Sequence, residues 1–569
     1  MSDLKKNNSH SFMGNVAIVL IAQLMVKILG FVYRIVITNV EGFGDLGNAY
    51  YTAGFQIYTV LLAISSVGIP NAMAKMVSER IALKDYRGAH RIFKTAFLLF
   101  AGIGIVCSGL LYLCAGFYTN SVISMPGAIY SIKALSPSIF FVCISSVVRG
   151  YFQGMNDMNA TSRSQMLEQV FKCALTVILV MLVAGQKPEV MAAWANGASS
   201  IATLLSFAYL AAFYMRRQKG IKEEIRKTAV ESLSYGTGKL MKSILMLSIP
   251  ISLASIITSL NRVIDTATII RGIEAAFANG IPAHFDASGT WVDTILSPTA
   301  EQLSLEAERL MGMLSKSDTL INMPLSLNFA FATVLVPTIA GALIVGNKKE
   351  ASSKAAYSFL ISIILILPCA IGYIVLAKPI YNVVYFNASQ GADLLAWTAV
   401  SLVFSALSQT MSGTLQGIGK IYVPAIGLLV GCAVKLVLNL TLIRIPGINI
   451  YGAVISTIAC QIVAFLISFT VMIKYISFKI TVVKYIIKPL IAGGVMGAAA
   501  VGVHRLVTLA AGTGFMGNLA ATLVAIAAAA VVYLALVAAL RILNRDEIEM
   551  LPGGAGIYRL LCKIGLYKA

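Results

Sequence analysis

The sequence predicts an all-α polytopic membrane protein with fourteen transmembrane helices, arranged as two parallel six-helix repeats plus two C-terminal helices. Three observations predict this fold class. Apolar residues make up 58% of the 569 residues and charged residues 12%, with a mean hydropathy of +0.83. The apolar runs recur along the whole chain, and similar motifs occur in its two halves. A soluble fold is excluded because its surface would be one continuous apolar patch.

Each predicted span is an apolar run long enough to cross a bilayer core as a helix, which takes about 20 residues. The runs are continuous rather than alternating, which favours helices over a membrane β-barrel. The first run is too long for a signal peptide and lacks a small-residue cleavage site, so we expect it to be retained. The spans are predicted near 13–40, 50–78, 92–117, 129–154, 163–185, 190–215, 241–270, 312–345, 353–377, 393–418, 421–443, 451–474, 485–510 and 516–542.

The net charge of +20 is explained mainly by the loops. Lys and Arg collect at 80–94, 216–242, 348–354 and 474–488 and at both termini, which all fall on one side if there are fourteen spans. The opposite side carries an acidic insertion at 274–308. Because basic loops stay in the cytoplasm, both termini are predicted to be cytoplasmic. Nucleic-acid binding, which such a charge would suggest in a soluble protein, is not expected.

The longest cytoplasmic connection separates six spans from eight. The predicted segments are an N-lobe at 1–220, a cytoplasmic linker at 221–240, a C-lobe at 241–476 that includes the insertion 274–308, spans 13 and 14 at 477–545, and a cytoplasmic tail at 546–569.

An internal repeat relates spans 1–6 to spans 7–12. The segment 146–155 matches 409–418 at a constant offset of 263 residues, and weaker similarities link span 1 to span 7 and span 2 to span 8. The pairs at this offset are Gly150 and Gly413, Gln153 and Gln416, Gly154 and Gly417, and Lys172 and Lys435. Because each copy holds an even number of spans, the copies share one orientation, an arrangement found in transporters.

Charged side chains inside the spans are costly and usually face a cavity or a partner. They are Lys27 and Arg34 in span 1, Lys75 in span 2, Arg149 in span 4, Glu168 and Lys172 in span 5, Arg262 and Asp265 in span 7, and Lys435 in span 11. Lys27 and Arg34 are seven residues apart, on one helix face, with no acid between them. Arg and Lys donate charge-assisted hydrogen bonds to phosphate, so this pattern predicts an anionic ligand with phosphate groups.

The other charges also fit structural roles. Glu168 with Lys172, and Arg262 with Asp265, have spacings that would let each pair neutralise itself within its helix. Lys75 is expected to reach the cytoplasmic surface, and Arg149 either caps the end of span 4 or binds a headgroup.

Prolines and glycines break two spans and are predicted hinges. Gly68 and Pro70 interrupt span 2, and Pro324 and Pro337 interrupt span 8. No ATP-binding loop, metal-ligand spacing or nucleophile–base arrangement is present in the sequence, so we expect neither an enzyme nor a cofactor.

Several motifs together resemble one family. They are the segment 27–34, the break at 68–70 followed by Lys75, and the segment 149–155 followed by Ser164-Gln165 and Glu168-Gln169. They are similar to the polysaccharide biosynthesis/stage V sporulation protein B family of Gram-positive bacteria, within the multidrug/oligosaccharidyl-lipid/polysaccharide flippase superfamily. The resemblance implies a flippase of the bacterial plasma membrane with two six-helix lobes and a central cationic cavity. Its substrate would be an undecaprenyl-pyrophosphate-linked sugar such as the peptidoglycan precursor lipid II.

The related MurJ family of lipid II flippases shares part of this pattern. Lys27 stands where that family has an arginine, and the segment 322–337 resembles its span-8 pattern. The sequence departs from it at Tyr33-Arg34, where that family has Arg-Asp, and at Thr319, where it has an arginine. The charge-poor segment 485–542 is compatible with that family's groove for a lipid tail.

The resulting expectation is alternating access by a monomer whose partners are a lipid-linked pyrophosphate sugar and membrane lipids. The predicted substrate-binding residues are Lys27, Arg34, Arg149, Arg262, Lys172, Lys435, Gln153 and Gln416. Asp265 and Glu168 are predicted to couple transport to Na⁺ or H⁺, or to orient the arginines. The alternatives are a flippase for a teichoic acid, capsule or spore-cortex precursor, a cation-coupled multidrug exporter, and a scaffold for cell-wall synthesis.

Overall fold

The computed structural model of the chain describes residues 25–63, 68–155, 157–226, 236–285, 291–344, 347–476, 481–549, 554–563 and 567. These residues are almost entirely helical, which confirms the predicted fold class. They form two compact units. The first contains the described residues up to Lys316 together with Asn439–Ile450, and the second contains Ser317–Leu438 and the described residues from Tyr451 onward.

The first half of the chain holds eight helices in the described ranges. They are α1 at 25–38, α2 Gly44–Ala63, α3 Ile69–Ala82, α4 Tyr86–Phe117, α5 Ile129–Gly154, α6 Met158–Leu182, α7 Pro188–Arg226 and α8 Thr237–Ala276. A π turn at Tyr118–Val122 and a 3₁₀ turn at Pro126–Ala128 join α4 to α5. Helix starts follow their sequence signals: the Asp85 side chain accepts a bond from the Gly88 amide at 2.7 Å, and proline lies in the first turn of α3.

The second half of the chain continues the helical pattern. Its helices are α9 Ala300–Ile344, α10 Lys348–Val375, α11 Ala377–Val384, α12 Ala392–Gly417, α13 Tyr422–Leu442, α14 Ile450–Tyr475, α15 Lys488–Ala511, α16 Phe515–Ala539, α17 Arg545–Glu549 and α18 Gly554–Lys563, with a π turn at Val483–Ile487 before α15. Between α8 and α9, strands β1 His284–Phe285 and β2 Trp291–Val292 pair antiparallel, with His284 opposite Val292. The hairpin lies within the predicted acidic insertion.

Ten described helices are long and apolar enough to cross a membrane. They are α4 to α7, α10 and α12 to α16. The other four predicted spans fall on α1, on the α2–α3 pair, on α8 and on α9, each of which contains or adjoins residues outside the described ranges. The chain is therefore a multi-pass membrane protein, and the count of fourteen spans stays a prediction.

Several predicted boundaries and breaks fall inside continuous helices. The helix α7 continues to Arg226, inside the predicted linker 221–240, and residues 227–235 lie outside the described ranges. The helix α9 begins at Ala300 and runs through Pro324 and Pro337 without ending. A proline removes one helical hydrogen bond and does not have to end a long helix that is held by its neighbours. The predicted lobe, linker and tail boundaries stay a prediction.

Helix α5 forms the centre of the first unit. It packs against α2, α3, α4 and α7, and 72% of its most apolar stretch is buried, against 17% for α4 and for α6. Small side chains explain this position, because serine and glycine let neighbouring helices approach closely. A β-carbon on Gly150 would lie 2.6 Å from the β-carbon of Met73, and one on Gly154 would lie 2.6 Å from that of Val77.

The second unit repeats this close approach. A β-carbon on Gly413 of α12 would lie 2.6 Å from the carbonyl oxygen of Ala332 in α9. Gly150 and Gly413 are a pair at the repeat offset, and the helices they touch, α3 and α9, contain the segments that the sequence pairs as spans 2 and 8. The packing therefore supports the internal repeat. In the same unit α15 and α16 pack against each other, and α15 also packs against α10.

Candidate functional site: a basic cluster

Arg34 of α1 lies buried among hydroxyl groups. Its Nη2 donates to Thr52 Oγ1 at 2.5 Å and to Ser315 Oγ at 2.7 Å, and these two hydroxyls are 2.5 Å apart. Its guanidinium carbon lies 4.2 Å from the centre of the Tyr51 ring. The side chain is 8% exposed, and its Nε has no hydrogen-bond partner among the described residues. The guanidinium of Arg34 is thus contacted by neutral groups, and its Nε–H remains a free donor.

Lys172 of α6 lies beside the same aromatic group. Its Nζ is 4.2 Å from the centre of the Phe55 ring and 5.7 Å from that of Tyr33, and it hydrogen-bonds with the Tyr51 side chain. The hydroxyls of Tyr33 and Tyr51 are 2.8 Å apart. Ring faces stabilise a nearby cation, although less than a carboxylate or a phosphate does. The aromatic residues therefore hold Lys172 in place without neutralising it.

Two further cations complete the group. Lys27 of α1 and Arg262 of α8 have exposed side chains, and the charges of Arg262 and Lys172 both act on Lys27. We call Lys27, Arg34, Lys172 and Arg262 the basic cluster. No carboxylate in the described ranges forms an ion pair with any of the four. Like charges repel, so the cluster favours an anionic ligand that brings several negative oxygens.

Arg149, a predicted ligand residue, lies in a separate network. Its Nη2 pairs with Glu168 Oε2 at 2.7 Å and donates to Ser206 Oγ at 3.0 Å, and its Nε donates to Ser164 Oγ at 2.9 Å. The side chain is 6% exposed. This network joins α5, α6 and α7. Glu168 therefore pairs with Arg149, while Lys172, four residues along α6, points to the aromatic group.

The other predicted site residues, which are not members of the basic cluster, contact other groups. Asp265 Oδ1 accepts from Asn439 Nδ2 at 3.1 Å. Gln153 Nε2 donates to Thr161 Oγ1 at 3.1 Å. In the second unit, Lys435 is buried at 1% exposure, and Gln416 Nε2 donates to Ser412 Oγ at 3.2 Å.

Comparison with known proteins identifies the family. The family model described as "Polysaccharide biosynthesis protein" matches residues 12–343, more than half of the chain. The chain belongs to the polysaccharide biosynthesis protein family. This result confirms the resemblance found in the sequence and places the chain in the multidrug/oligosaccharidyl-lipid/polysaccharide flippase superfamily.

Individual relatives support the same family. "Lipid II flippase MurJ" of Bacillus subtilis (strain 168) is 25% identical over 83% of this chain and 85% of its own length. "Stage V sporulation protein B" of the same organism is 22% identical over 95% of this chain and 98% of its own. Among solved structures, "Lipid II flippase MurJ, inward closed conformation" matches 91% of this chain and 97% of its own with a TM-score of 0.64 at 16% identity. At that identity the match shows the fold alone.

The predicted hinges of this family member lie at tight helix contacts or within a helix. A β-carbon on Gly68 would lie 2.5 Å from the carbonyl oxygen of Ser248 in α8, so glycine permits this approach. Pro70 is buried in the first turn of α3, Pro324 is buried within α9, and Pro337 lies in the same helix. Residues 64–67, just before this predicted break, lie outside the described ranges. Hinge motion stays a prediction.

A set of ionisable side chains, two of them cations paired with carboxylates, involves the β-hairpin, α2 and α9. Lys316 Nζ is 2.5 Å from Asp45 Oδ1, and both side chains are almost fully buried. Arg309 pairs with Glu306 at 2.7 Å through two nitrogens, and His284 Nε2 of β1 is 3.4 Å from Glu306 Oε2. We call Asp45, Lys316, Arg309, Glu306 and His284 the hairpin ion network. Through Lys316 and Glu306 of α9, it connects this helix to the start of α2 and to the hairpin.

Glu308 lies beside this network, before the predicted start of span 8. Its Oε2 accepts from the Tyr50 hydroxyl at 2.7 Å. Burial, together with the charges of Glu189 and Glu274, raises the pKa of Glu308 to about 7, although the Tyr50 hydrogen bond lowers it. This carboxyl therefore changes charge near neutral pH.

Sequence reasoning missed three residues that position the basic cluster: Tyr51, Thr52 and Ser315. Neutral hydroxyl and aromatic residues are common in membrane helices, so composition alone does not single them out. Thr52 and Ser315 are also 263 residues apart, and nothing local in the sequence indicates that their hydroxyls contact each other.

Proposed function

We propose that this chain is a flippase that moves an undecaprenyl-pyrophosphate-linked cell-wall precursor from the cytoplasmic to the outer leaflet by alternating access, with lipid II as the precursor. The observation that carries this proposal is the basic cluster in a multi-pass membrane protein. Four cations without a carboxylate partner among the described residues match a pyrophosphate, which carries several anionic oxygens on two adjacent phosphorus atoms. The names of the MurJ relatives and the family description support a lipid-linked sugar as the substrate class.

Each residue of the basic cluster has a distinct part in the proposal. Arg34, fixed by Thr52 and Ser315, offers its free Nε to one phosphate. Lys172, fixed over the aromatic rings, offers a second donor, and the exposed Lys27 and Arg262 meet the head group first. Arg149 holds α5, α6 and α7 together through Glu168. The family supports the proposed bacterial plasma-membrane location, and the charge distribution of the loops supports the cytoplasmic termini.

Ion coupling is part of the proposal. Na⁺ or H⁺ that binds at Asp265 or Glu168 and crosses the membrane down its electrochemical gradient would supply the driving force. Protonation of Glu168 would remove the charge that pairs with Arg149, and protonation or cation binding at Asp265 would change its bond to Asn439. A flippase for another lipid-linked glycan is the second candidate, because the stage V sporulation protein B relative covers nearly the whole chain.

The test is lipid II translocation by the full chain in proteoliposomes. Arg34→Ala and Arg262→Ala should each slow translocation by about 10-fold to 100-fold, because each removes a hydrogen bond to a charged group. Arg216→Ala, at an exposed position near the end of α7, is the matched control and should retain wild-type rates. Normal translocation by both cluster variants would contradict the proposal.

A second assay distinguishes the substrates. The wild-type chain should restore growth to bacteria depleted of their lipid II flippase. Failure to do so, combined with translocation of a different lipid-linked glycan in proteoliposomes, would favour the second candidate.

A further inference from the structure

The second unit contains a polar cavity of about 330 Å³ that the proposed transport site does not use. It lies where the end of α15, the turn at 512–514 and the start of α16 meet α11 and the loop after it. Its lining residues are Asn382, Phe386, Ser389, Thr508, Thr513, Phe515 and Asn518. Basic residues flank the other ends of α15 and α16, so the charge pattern predicts that this cavity lies on the extracytoplasmic side.

The lining carries hydrogen-bonding groups and no ionisable side chain. Five of the seven residues are Asn, Ser or Thr, which can donate and accept hydrogen bonds at once. The cavity of about 230 Å³ in the first unit differs, since Glu79, Arg80, Asp85 and Arg91 line it. A phosphate or carboxylate ligand needs a cationic or otherwise strong donor set. The cavity of the second unit therefore fits a neutral ligand whose hydroxyls both donate and accept hydrogen bonds.

Two aromatic rings add a second, independent feature. Phe386 and Phe515 have ring centres 5.6 Å apart at an interplanar angle of 68°, and about half of each side chain is exposed. The face of an aromatic ring is electronegative and apolar, so it attracts the polarised C–H groups on the face of a sugar ring. Pockets that combine aromatic surface with a few fixed polar groups are typical of small-molecule sites.

One of the polar groups is held in a fixed orientation. Asn518 Nδ2 donates to the Pro379 carbonyl at 3.2 Å, and Asn518 Oδ1 lies 3.2 Å from His504 Nε2. Thr508 Oγ1 in turn donates to the His504 carbonyl at 2.8 Å. An amide has two donors and two acceptor positions, so one of each remains available to a ligand. This preorganisation lowers the entropy cost of binding.

We propose that this cavity binds a neutral saccharide unit, with Phe386 and Phe515 against the sugar face and Asn382, Asn518 and the hydroxyls on its edge. The sugar could belong to the head group of a lipid delivered to this face or to a soluble glycan of the surroundings. The first source rests on the proposed flippase function and the second does not.

The first experiment measures binding of N,N′-diacetylchitobiose to the full chain in nanodiscs by saturation-transfer NMR. Saturable binding is expected, and Phe386→Ala, Phe515→Ala and Asn382→Ala should each weaken it by about fivefold to tenfold. Phe117→Ala, which removes an exposed ring at the end of α4, is the matched control and should bind as wild type does. Inorganic pyrophosphate should not compete. Equal binding by all variants, competition by pyrophosphate, or absence of saturable binding both by this disaccharide and by its lipid-linked form would overturn the proposal.

The second experiment separates the two sources. Nanodiscs that contain the same disaccharide on undecaprenyl pyrophosphate are compared with the free disaccharide, with wild type and Phe515→Ala in each arm. A Phe515-dependent signal for the lipid-linked probe alone identifies a head-group site, and one for the free probe identifies a glycan site. No dependence in either arm contradicts both. Because Arg34→Ala should leave this binding intact, loss of translocation and loss of sugar binding can be told apart.

Discussion

Two regions of the first unit bury positive charge and stabilise it in different ways. In the hairpin ion network, Lys316 lies 2.5 Å from Asp45 and Arg309 lies 2.7 Å from Glu306. In the basic cluster, Lys172 contacts aromatic rings and hydroxyl groups, and no described carboxylate pairs with it. Removal of a paired buried cation leaves its partner as an unpaired buried charge and destabilises the fold, whereas an unneutralised cation is itself a standing cost that a ligand can offset. The comparison therefore separates structural cations from functional ones.

The same substitution at two lysines tests this distinction most strongly. Lys316→Met should lower the free energy of unfolding by about 3–5 kcal/mol, because it leaves Asp45 as an unpaired buried charge. The double variant Asp45→Leu/Lys316→Met should recover most of that loss. Denaturant titration of the purified chain in detergent measures both values. Glu549→Ala, which breaks an exposed pair, is the control and should cost less than about 1 kcal/mol. If Lys316→Met unfolds with the free energy of the wild type, the distinction between paired structural cations and unneutralised functional cations is wrong.

Lys172→Met should give the opposite pattern. Methionine has a similar volume and removes a buried charge, so the free energy of unfolding should stay level or rise. Binding of a lipid-linked pyrophosphate should weaken by about 10-fold to 100-fold, because one charge-assisted hydrogen bond is lost. Calorimetric titration in nanodiscs measures the affinity. Unchanged affinity together with lower stability would assign Lys172 a structural role.

The sequence predicted the elements of this molecule better than their contacts. Within the described ranges, apolar run length placed the predicted spans on helices, with span 2 divided between α2 and α3, because the bilayer requires a run of about 20 apolar residues whatever the tertiary structure is. The shared helix face of Lys27 and Arg34, with no acid between them, is likewise a property of one helix. Both inferences depend on properties of a single helix.

Inferences that depended on contacts between helices were less complete. The spacing of Glu168 and Lys172 allowed an ion pair within α6, but Glu168 pairs with Arg149 of α5 instead. The Asp45–Lys316 pair joins residues 271 positions apart, and nothing in the sequence matches one to the other. Local spacing sets which side chains share a face, and tertiary packing then chooses among their partners.

The repeat offers a smaller test, in which the two units are compared at equivalent glycines. Gly150→Ala and Gly413→Ala each put a β-carbon 2.6 Å from a neighbouring helix, so each should destabilise the chain by about 1–3 kcal/mol. Gly102→Ala is the control, because a β-carbon there meets nothing within 4 Å, and alanine favours the helix α4 by up to about 1 kcal/mol. A large loss at only one of the two glycines, measured by denaturant titration, would contradict equivalent packing.

The smallest expected effect is a pH dependence of the free energy of unfolding that comes from Glu308. This effect depends on the acid-rich surroundings of the hairpin ion network, which the basic cluster lacks. Burial and the charges of Glu189 and Glu274 raise the pKa of Glu308 from 4.5 to about 7. The folded chain therefore holds a proton that the unfolded chain releases between these pH values, so stability falls as pH rises from about 4.5 to about 7. The slope from this one group is at most about 1.4 kcal/mol per pH unit.

Glu308→Gln stays neutral, keeps an acceptor for the Tyr50 hydroxyl, and should flatten that part of the stability profile. An unchanged slope in denaturant titrations across this range would show that Glu308 stays ionised when it is buried, and that its carboxylate is neutralised as Asp45 is.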